Sequence, residues 1–161
     1  MFIIRSLVVA ATILVSITAC ADTLQGRVVS IADGDTVTVL DGSNTQTKIR
    51  LMGIDAPEKK QAFGQRSKQH LSDLVFDKHV TVEYSKKDRY GRTVGKLLVE
   101  GLDANLEQVK AGMAWHYKQY QKEQTPSDRS LYSESENRAR AARIGLWADP
   151  DPTPPWGFRH R

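Results

Sequence analysis

Thr36–Leu40 reads TVTVL, Asp41-Gly42-Ser43-Asn44 follows, and Thr47–Ile54 reads TKIRLMGI. Apolar and polar residues alternate in both runs, the period of a half-buried strand. The cluster between them supplies the turn chemistry of a hairpin, since Asp, Asn and Ser bond their own backbone and Gly adopts positive φ. In the second run Ile49 and Leu51 share one face, and Lys48, Arg50 and Met52 share the other. Arg50 therefore sits on the polar side of a sheet.

Working outward, Leu24–Ala32 (LQGRVVSIA) is β-rich and is stopped by Asp33-Gly34-Asp35, so three strands in series form a meander. Pro57 blocks continuation of the sheet. Gly64–Val75 carries Leu71, Leu74 and Val75 at helical spacing, which predicts a first helix. His79–Tyr84 and Thr93–Glu100 are two further strands, joined by the charged link Ser85 to Arg92. Leu102–Ala111 predicts a second helix stopped by Gly112, a favoured residue just past a helix end. Ser127–Ile144, closed by Gly145, predicts a third. Five short strands with these helices predict an α+β, mainly β chain: an OB-fold five-stranded barrel with about three helices. Another five-stranded α+β arrangement has the same strand count. A single hydrophobic core and no internal repeat are expected.

A chain of 161 residues has room for one domain. Its first 21 residues read as a signal peptide: Arg5 gives the charge, Ser6–Ala19 is apolar or small, and Ala19-Cys20-Ala21 forms an A-x-A cleavage site. Ile17-Thr18-Ala19-Cys20 also resembles a lipobox, in which Cys20 becomes the lipidated first residue. Cleavage after Ala21 is preferred, because Leu is commoner than Ile at the first place of that pattern. Both readings send the chain out of the cytoplasm, as a periplasmic or secreted protein or as one anchored by lipid at Cys20. A lone cysteine excludes an internal disulfide. The folded domain is expected over 22–148, and the tail 149–161, with four prolines, is expected to form no regular structure. Trp147 and Trp156 are expected to pack the chain end onto the barrel, with Arg159 and Arg161 as cations within reach of a nucleic acid. The formal net charge of +4 is too small to name a partner by itself.

The placement of charge says more. In an antiparallel hairpin the start of one strand lies beside the end of the next. Asp35 opens the second strand and Asp55 closes the third, so both reach one end of the ladder, with Glu58 carried there by the bend at Pro57. Clustered acids repel each other and become favourable around a cation, and carboxylates with backbone carbonyls are the ligands of a hard ion. No His or Cys lies nearby in sequence, which argues against zinc. Ca²⁺ is the preferred ion, ahead of Mg²⁺ and Mn²⁺. Asp33 and Asp41 read as turn formers. Arg50, within its strand, and Arg92, after Gly91, are guanidinium groups able to fork onto phosphate oxygens.

DGDT (Asp33–Thr36), IRLMGIDAPE (Ile49–Glu58) and DRYGR (Asp88–Arg92), in this order, resemble the signature segments of the staphylococcal nuclease, or thermonuclease, family. The resemblance runs from about Gly26 to Trp147. It implies an OB-fold and a Ca²⁺-dependent nuclease that hydrolyses phosphodiester bonds of DNA and RNA, leaving 3′-phosphate ends; the aromatics and cations interleaved from Trp115 to Tyr120 suit a single-stranded substrate. It further implies Asp35, Asp55 and the Ala56 carbonyl as metal ligands, Asp33 as an acid beside them, Glu58 as general base, and Arg50 and Arg92 as phosphate clamps. Arg89, Tyr90, Trp115 and Tyr117 stand at substrate-binding places. Two features depart from the best-known member. Lys59–Ser67 is shorter than its mobile loop, and Trp115 replaces a tyrosine, keeping a face for stacking but no phenolic hydroxyl. No protein partner is implied and a monomer is expected. The rival reading is a non-catalytic OB-fold nucleic-acid-binding module, which would need the cations and aromatics but not Asp35, Asp55 and Glu58.

Overall fold

The computed structural model describes residues 22–160, so the leader and Cys20 lie outside the described residues. The barrel is built from β1 (Asp22–Asp33), β2 (Thr36–Leu40), β3 (Gln46–Leu51), β5 (His79–Lys87) and β6 (Thr93–Val99); two-residue strands β4 (Ile54–Asp55), β7 (Leu102–Asp103) and β8 (Trp115–His116) flank it. Neighbours run in the order β3-β2-β1-β5-β6, and a parallel pairing of β3 with β6 closes the ring. The expected meander is present, with Val28 opposite Val39, Ile31 opposite Val37, and Thr36 opposite Arg50. Register shifts in β1 after Val28 and after Ile31 bend that long strand, as bulges do when they increase local twist. At Gly26 strands β1 and β2 approach so closely that a Cβ would lie 2.4 Å from the Leu40 carbonyl oxygen.

Alternation places Val28, Val37, Val39, Ile49, Leu51, Val82 and Leu97 inside the barrel, all fully buried. Helix α1 (Gly64–Val75) closes one end with Leu71 and Val75. Truncating one such leucine to Ala costs about 2–5 kcal/mol. Helix α2 (Ala104–Lys110) begins two residues later than the sequence pattern predicts, because Leu102 and Asp103 first pair with β6. Asp103 then caps the helix, its Oδ1 accepting from the Leu106 N–H at 3.0 Å. Helix α3 (Pro126–Ala141) starts with Pro126 at a position where a missing N–H is harmless, and the Thr125 hydroxyl caps it. Tyr132 of α3 is buried and donates to Asp103 Oδ2 at 2.7 Å, which ties α3 to the cap of α2.

Two expectations need correction. A second, smaller apolar cluster exists: Trp115, Ala139, Leu146 and Trp147, with Phe63 and Trp156 against it. Its members come from five separate places in the sequence, so no run of apolar residues announces it. The tail does form regular structure, a single helical turn α4 (Pro155–Phe158) with Pro155 at its first position. Proline is destructive inside a helix but compatible with its first turn. Among the described residues no helix is long and apolar enough to cross a membrane.

Candidate active site

The Asp33-Gly34-Asp35 turn leaves β1 and enters β2, and the Leu51 N–H donates to the Asp35 carbonyl at 2.8 Å. That bond sets the end of β3 against the start of β2. Gly53, at φ +77°, then turns the chain into β4 and delivers Asp55 to the same corner. Both acids are almost fully buried, at 6% and 1% exposure. Asp35 Oδ1 accepts from the Thr36 hydroxyl at 3.0 Å, and Oδ2 accepts from the Ala56 N–H at 2.8 Å.

Arg50 links the two acids. Its Nη2 donates to Asp55 Oδ1 at 3.0 Å and lies 3.2 Å from Asp35 Oδ2. Its Nη1 donates to the Leu51 and Ile54 carbonyls at 2.8 and 2.9 Å. The guanidinium is thereby fixed in plane by backbone, which a lysine ammonium could not achieve. Arg92 approaches from β6, its Nη1 3.5 Å from the Thr36 hydroxyl. Asp88 aims it: Oδ2 accepts from Arg92 Nε at 2.7 Å, and Oδ1 accepts from the Tyr90 and Arg92 N–H groups. Burial pushes the Asp88 carboxyl up, but the bonds from Arg92 and Tyr90 outweigh it and hold it below the ordinary range. Asp88 had no assigned role in the sequence reading; its signal was an Asp four residues before an Arg in a Gly-containing turn.

Glu58 joins the cluster through the tail. Arg159 Nη1 donates to Glu58 Oε1 at 2.7 Å, and its Nη2 donates to Asp55 Oδ2 at 2.8 Å. Gln61 ties the same loop to the tail from below. Its Oε1 accepts from the Glu58 N–H at 3.0 Å, and its Nε2 donates to the Thr153 carbonyl at 2.6 Å. The sequence pointed Arg159 only towards nucleic acid and gave Gln61 no role, because both contacts span about a hundred residues.

The substrate-binding candidates are divided. Tyr90 is 67% exposed, with the guanidinium groups of Arg89 and Arg92 at 4.8 and 5.5 Å from its ring centre. Tyr117 is half-buried and stacked on Trp156 at 5.3 Å and 9°. Trp115 has a different setting from an open stacking platform: it is buried, edge-on to Trp147 and Trp156, with Arg140 4.9 Å above its ring. Its apolar bulk serves the second cluster.

The donors suit a hard cation. Asp35, Asp55 and the Ala56 carbonyl offer only oxygen, the chemistry of a Ca²⁺ or Mg²⁺ site. Burial and the charge of Asp35 push the Asp33 carboxyl up to about 6. Burial also raises Asp55, even with Arg159 and Arg50 against it. Burial is the larger cause in both, and a bound cation would act against it by favouring the charged forms. Among the described residues, no three His, Cys, Asp or Glu side chains form a ready metal cluster. Part of any shell would come from main chain, water and substrate.

Residues 48–149 match the family model described as Staphylococcal nuclease homologue. An uncharacterized endonuclease of Haemophilus influenzae is 49% identical over 135 residues, covering 84% of this chain and 72% of the relative. An uncharacterized endonuclease of Escherichia coli is 46% identical over 143 residues, 88% of each chain. A micrococcal nuclease of Shigella flexneri is 43% identical over 166 residues, 97% of this chain and 91% of the relative.

Proposed function

The chain belongs to the staphylococcal nuclease family and is a nuclease, and from that premise we propose that it is an exported, Ca²⁺-dependent enzyme cutting DNA and RNA to 3′-phosphate ends. The observation that carries the reading is the convergence of Arg50 and Arg92 on the corner occupied by Asp35, Asp55 and Glu58.

Asp35, Asp55 and the Ala56 carbonyl would hold the ion. Bound there, Ca²⁺ supplies positive charge that offsets the negative charge gathered at phosphorus. Glu58, on a loop tied by Gln61, takes the proton of the attacking water, as a carboxylate within hydrogen-bond reach of that water can. Arg50 and Arg92 stabilise the extra negative charge of the five-coordinate phosphorus, and Arg92 assists departure of the 5′-oxygen. Loss of the 5′-oxygen leaves the phosphate on the 3′ side. Because Arg50 is already fixed by two main-chain carbonyls, it needs little reorganisation to do this. Tyr90, Arg89 and Tyr117 contact the strand, and the exposed face of Tyr90 favours single-stranded substrate.

Export rests on the apolar leader of residues 1–21, and recovery of activity in the periplasmic fraction or medium tests it. For the chemistry, the test is cleavage of single-stranded DNA with Ca²⁺, with excess EGTA, and by Glu58→Ala. Cleavage that needs Ca²⁺ and is lost in both controls supports the reading. Full turnover in EGTA removes the metal from it, and a fully active Glu58→Ala removes the base.

A further inference from the structure

The tail holds two parts of the active-site corner at once. Arg159 places both terminal nitrogens on carboxylates, reaching Asp55 Oδ2 at 2.8 Å, Asp55 Oδ1 at 3.3 Å and Glu58 Oε1 at 2.7 Å. Trp156, one turn earlier, lies flat on Tyr117 at 5.3 Å and meets Trp115 edge-on at 5.4 Å. The segment is anchored on the far side, where Gln61 donates to the Thr153 carbonyl and Phe158 lines a small cavity with Pro57 and Phe63. A cationic group against the acids and an indole against an aromatic ring are the same two contacts that a metal ion and a nucleotide base would make.

We propose that Thr153–Arg159 is a self-blocking strap: Arg159 stands in for the metal ion at Asp55 and occupies the base Glu58, Trp156 covers Tyr117, and the strap must lift before ion and strand bind. The inference rests on the functional reading above, since it assigns regulation to that site. Two conflicts require movement. Asp55 cannot offer its outer oxygens to an ion while both accept from Arg159. Glu58 Oε1, filled by Arg159 Nη1 at 2.7 Å, also has no place for a water there until the guanidinium leaves.

The strap is suited to release. Arg159 is 39% exposed, so water can take over its guanidinium at modest cost. Asp55, at 1% exposure, keeps only Arg50 as counter-charge once Arg159 leaves, and a buried carboxylate that loses part of its pairing is disfavoured. An arriving cation removes that obstacle, so ion binding and strap release favour each other. The ion's apparent affinity is lowered by the fraction of molecules in which the strap is lifted.

The test is calorimetric titration of the full-length protein with Ca²⁺, comparing wild type with Arg159→Ala, Arg159→Lys and Trp156→Ala. A strap seated about nine-tenths of the time makes Arg159→Ala bind Ca²⁺ about tenfold more tightly. Arg159→Lys, which can hold only one carboxylate well, falls between, and Trp156→Ala also binds more tightly. Turnover at saturating Ca²⁺ stays at the wild-type level in Arg159→Ala. Melting curves confirm the fold, and if Arg159→Ala does not fold, Arg159→Lys and Trp156→Ala decide by the same measure. Unchanged or weaker Ca²⁺ affinity in the folded variants overturns the strap while leaving a Ca²⁺-dependent nuclease intact. A drop in saturated turnover also overturns it and makes Arg159 a group that acts on substrate. If no form binds Ca²⁺, the metal assignment falls, and the strap's competition with it.

Discussion

Gln108 of α2 donates from its side-chain Nε2 to the Gly34 carbonyl at 2.6 Å. The same nitrogen reaches the Ser67 carbonyl of α1 at 3.1 Å, and Gln108 Oε1 bonds His70 Nδ1. One fully buried amide thus holds the turn that presents Asp35. Its removal leaves a buried carbonyl without a donor. Gln108→Ala is expected to cost about 2–4 kcal/mol in denaturant unfolding, since an orphaned buried polar group adds to the lost packing. Turnover should fall at least about tenfold, as a small shift of a positioned ligand has that effect. A Gln108→Ala protein with wild-type stability would show that the turn is held by other means.

The barrel was readable because each strand carries its own period of two, and the hairpin turn its own residues. The gathering of Asp35 and Asp55 at one end of the hairpin followed from that pattern, whereas the register that seats Thr36 opposite Arg50 is set by the folded sheet. The polar clamps were not readable. Gln108 and Asn105 lie on a helix where polar residues normally mean a solvated face, yet both are fully buried. Asn105 receives the Leu97 N–H and donates to the Met52 and Gly95 carbonyls, joining the end of β3 to β6. Such roles depend on which backbone groups are left over when strands end, and that is a property of the assembled barrel. The tail escaped for a similar reason, because its four prolines describe local stiffness and say nothing of the carboxylates Arg159 meets.

The two clamping arginines should fail differently. Arg50 is 14% exposed and bonded to two carbonyls and two acids, whereas Arg92 is 26% exposed and held mainly by Asp88. Either change to Ala is expected to lower turnover at least about a hundredfold. Only Arg50→Ala should also lower stability markedly, by about 3 kcal/mol, because Asp35 and Asp55 lose a shared counter-charge. Unfolding curves and steady-state rates on both variants check this. Near-native turnover in a folded Arg92→Ala would sink its assignment.

Two glycines make a controlled pair. A Cβ on Gly34 would lie 1.8 Å from Ser67 Oγ and 2.7 Å from the Ala56 Cβ, whereas on Gly42 nothing lies within 4 Å. Gly34→Ala must push α1 and the Ala56 segment away from the turn, at a cost of about 1–3 kcal/mol. The displaced segment carries Ala56 and Asp55, so activity should fall further than stability does. Gly42→Ala should match wild type in both. Equal behaviour of the two variants in thermal melts and cleavage assays would show that the turn gives way freely.

His116 supplies an acid limit to stability that is separate from the metal site. It is buried, pairs through Nε2 with Gln124 Oε1 at 2.8 Å, and stands edge-on to Tyr132. Burial pushes its pKa below the ordinary 6.5, with Gln124 and Glu136 opposing and Lys118 assisting. The folded protein therefore keeps the ring neutral where the unfolded chain already binds a proton. Stability from this group is complete above 6.5 and declines as pH falls from 6.5 towards the lower folded value. Between pH 7.5 and pH 5 the melting temperature of wild type should fall by about a few degrees relative to that of His116→Gln, since the raised carboxyls of Asp33 and Asp55 act oppositely and equally in both proteins. His116→Gln should be less stable at neutral pH but lack this slope. The slope should be the same in EGTA and in Ca²⁺, because His116 is bonded to Gln124 and Glu136 rather than to the acids of the corner. Melts across that range with and without Ca²⁺ decide it: a wild-type profile parallel to that of His116→Gln means the folded barrel accepts a charged His116, and a decline seen only with Ca²⁺ assigns it to protonation of the acids that hold the ion.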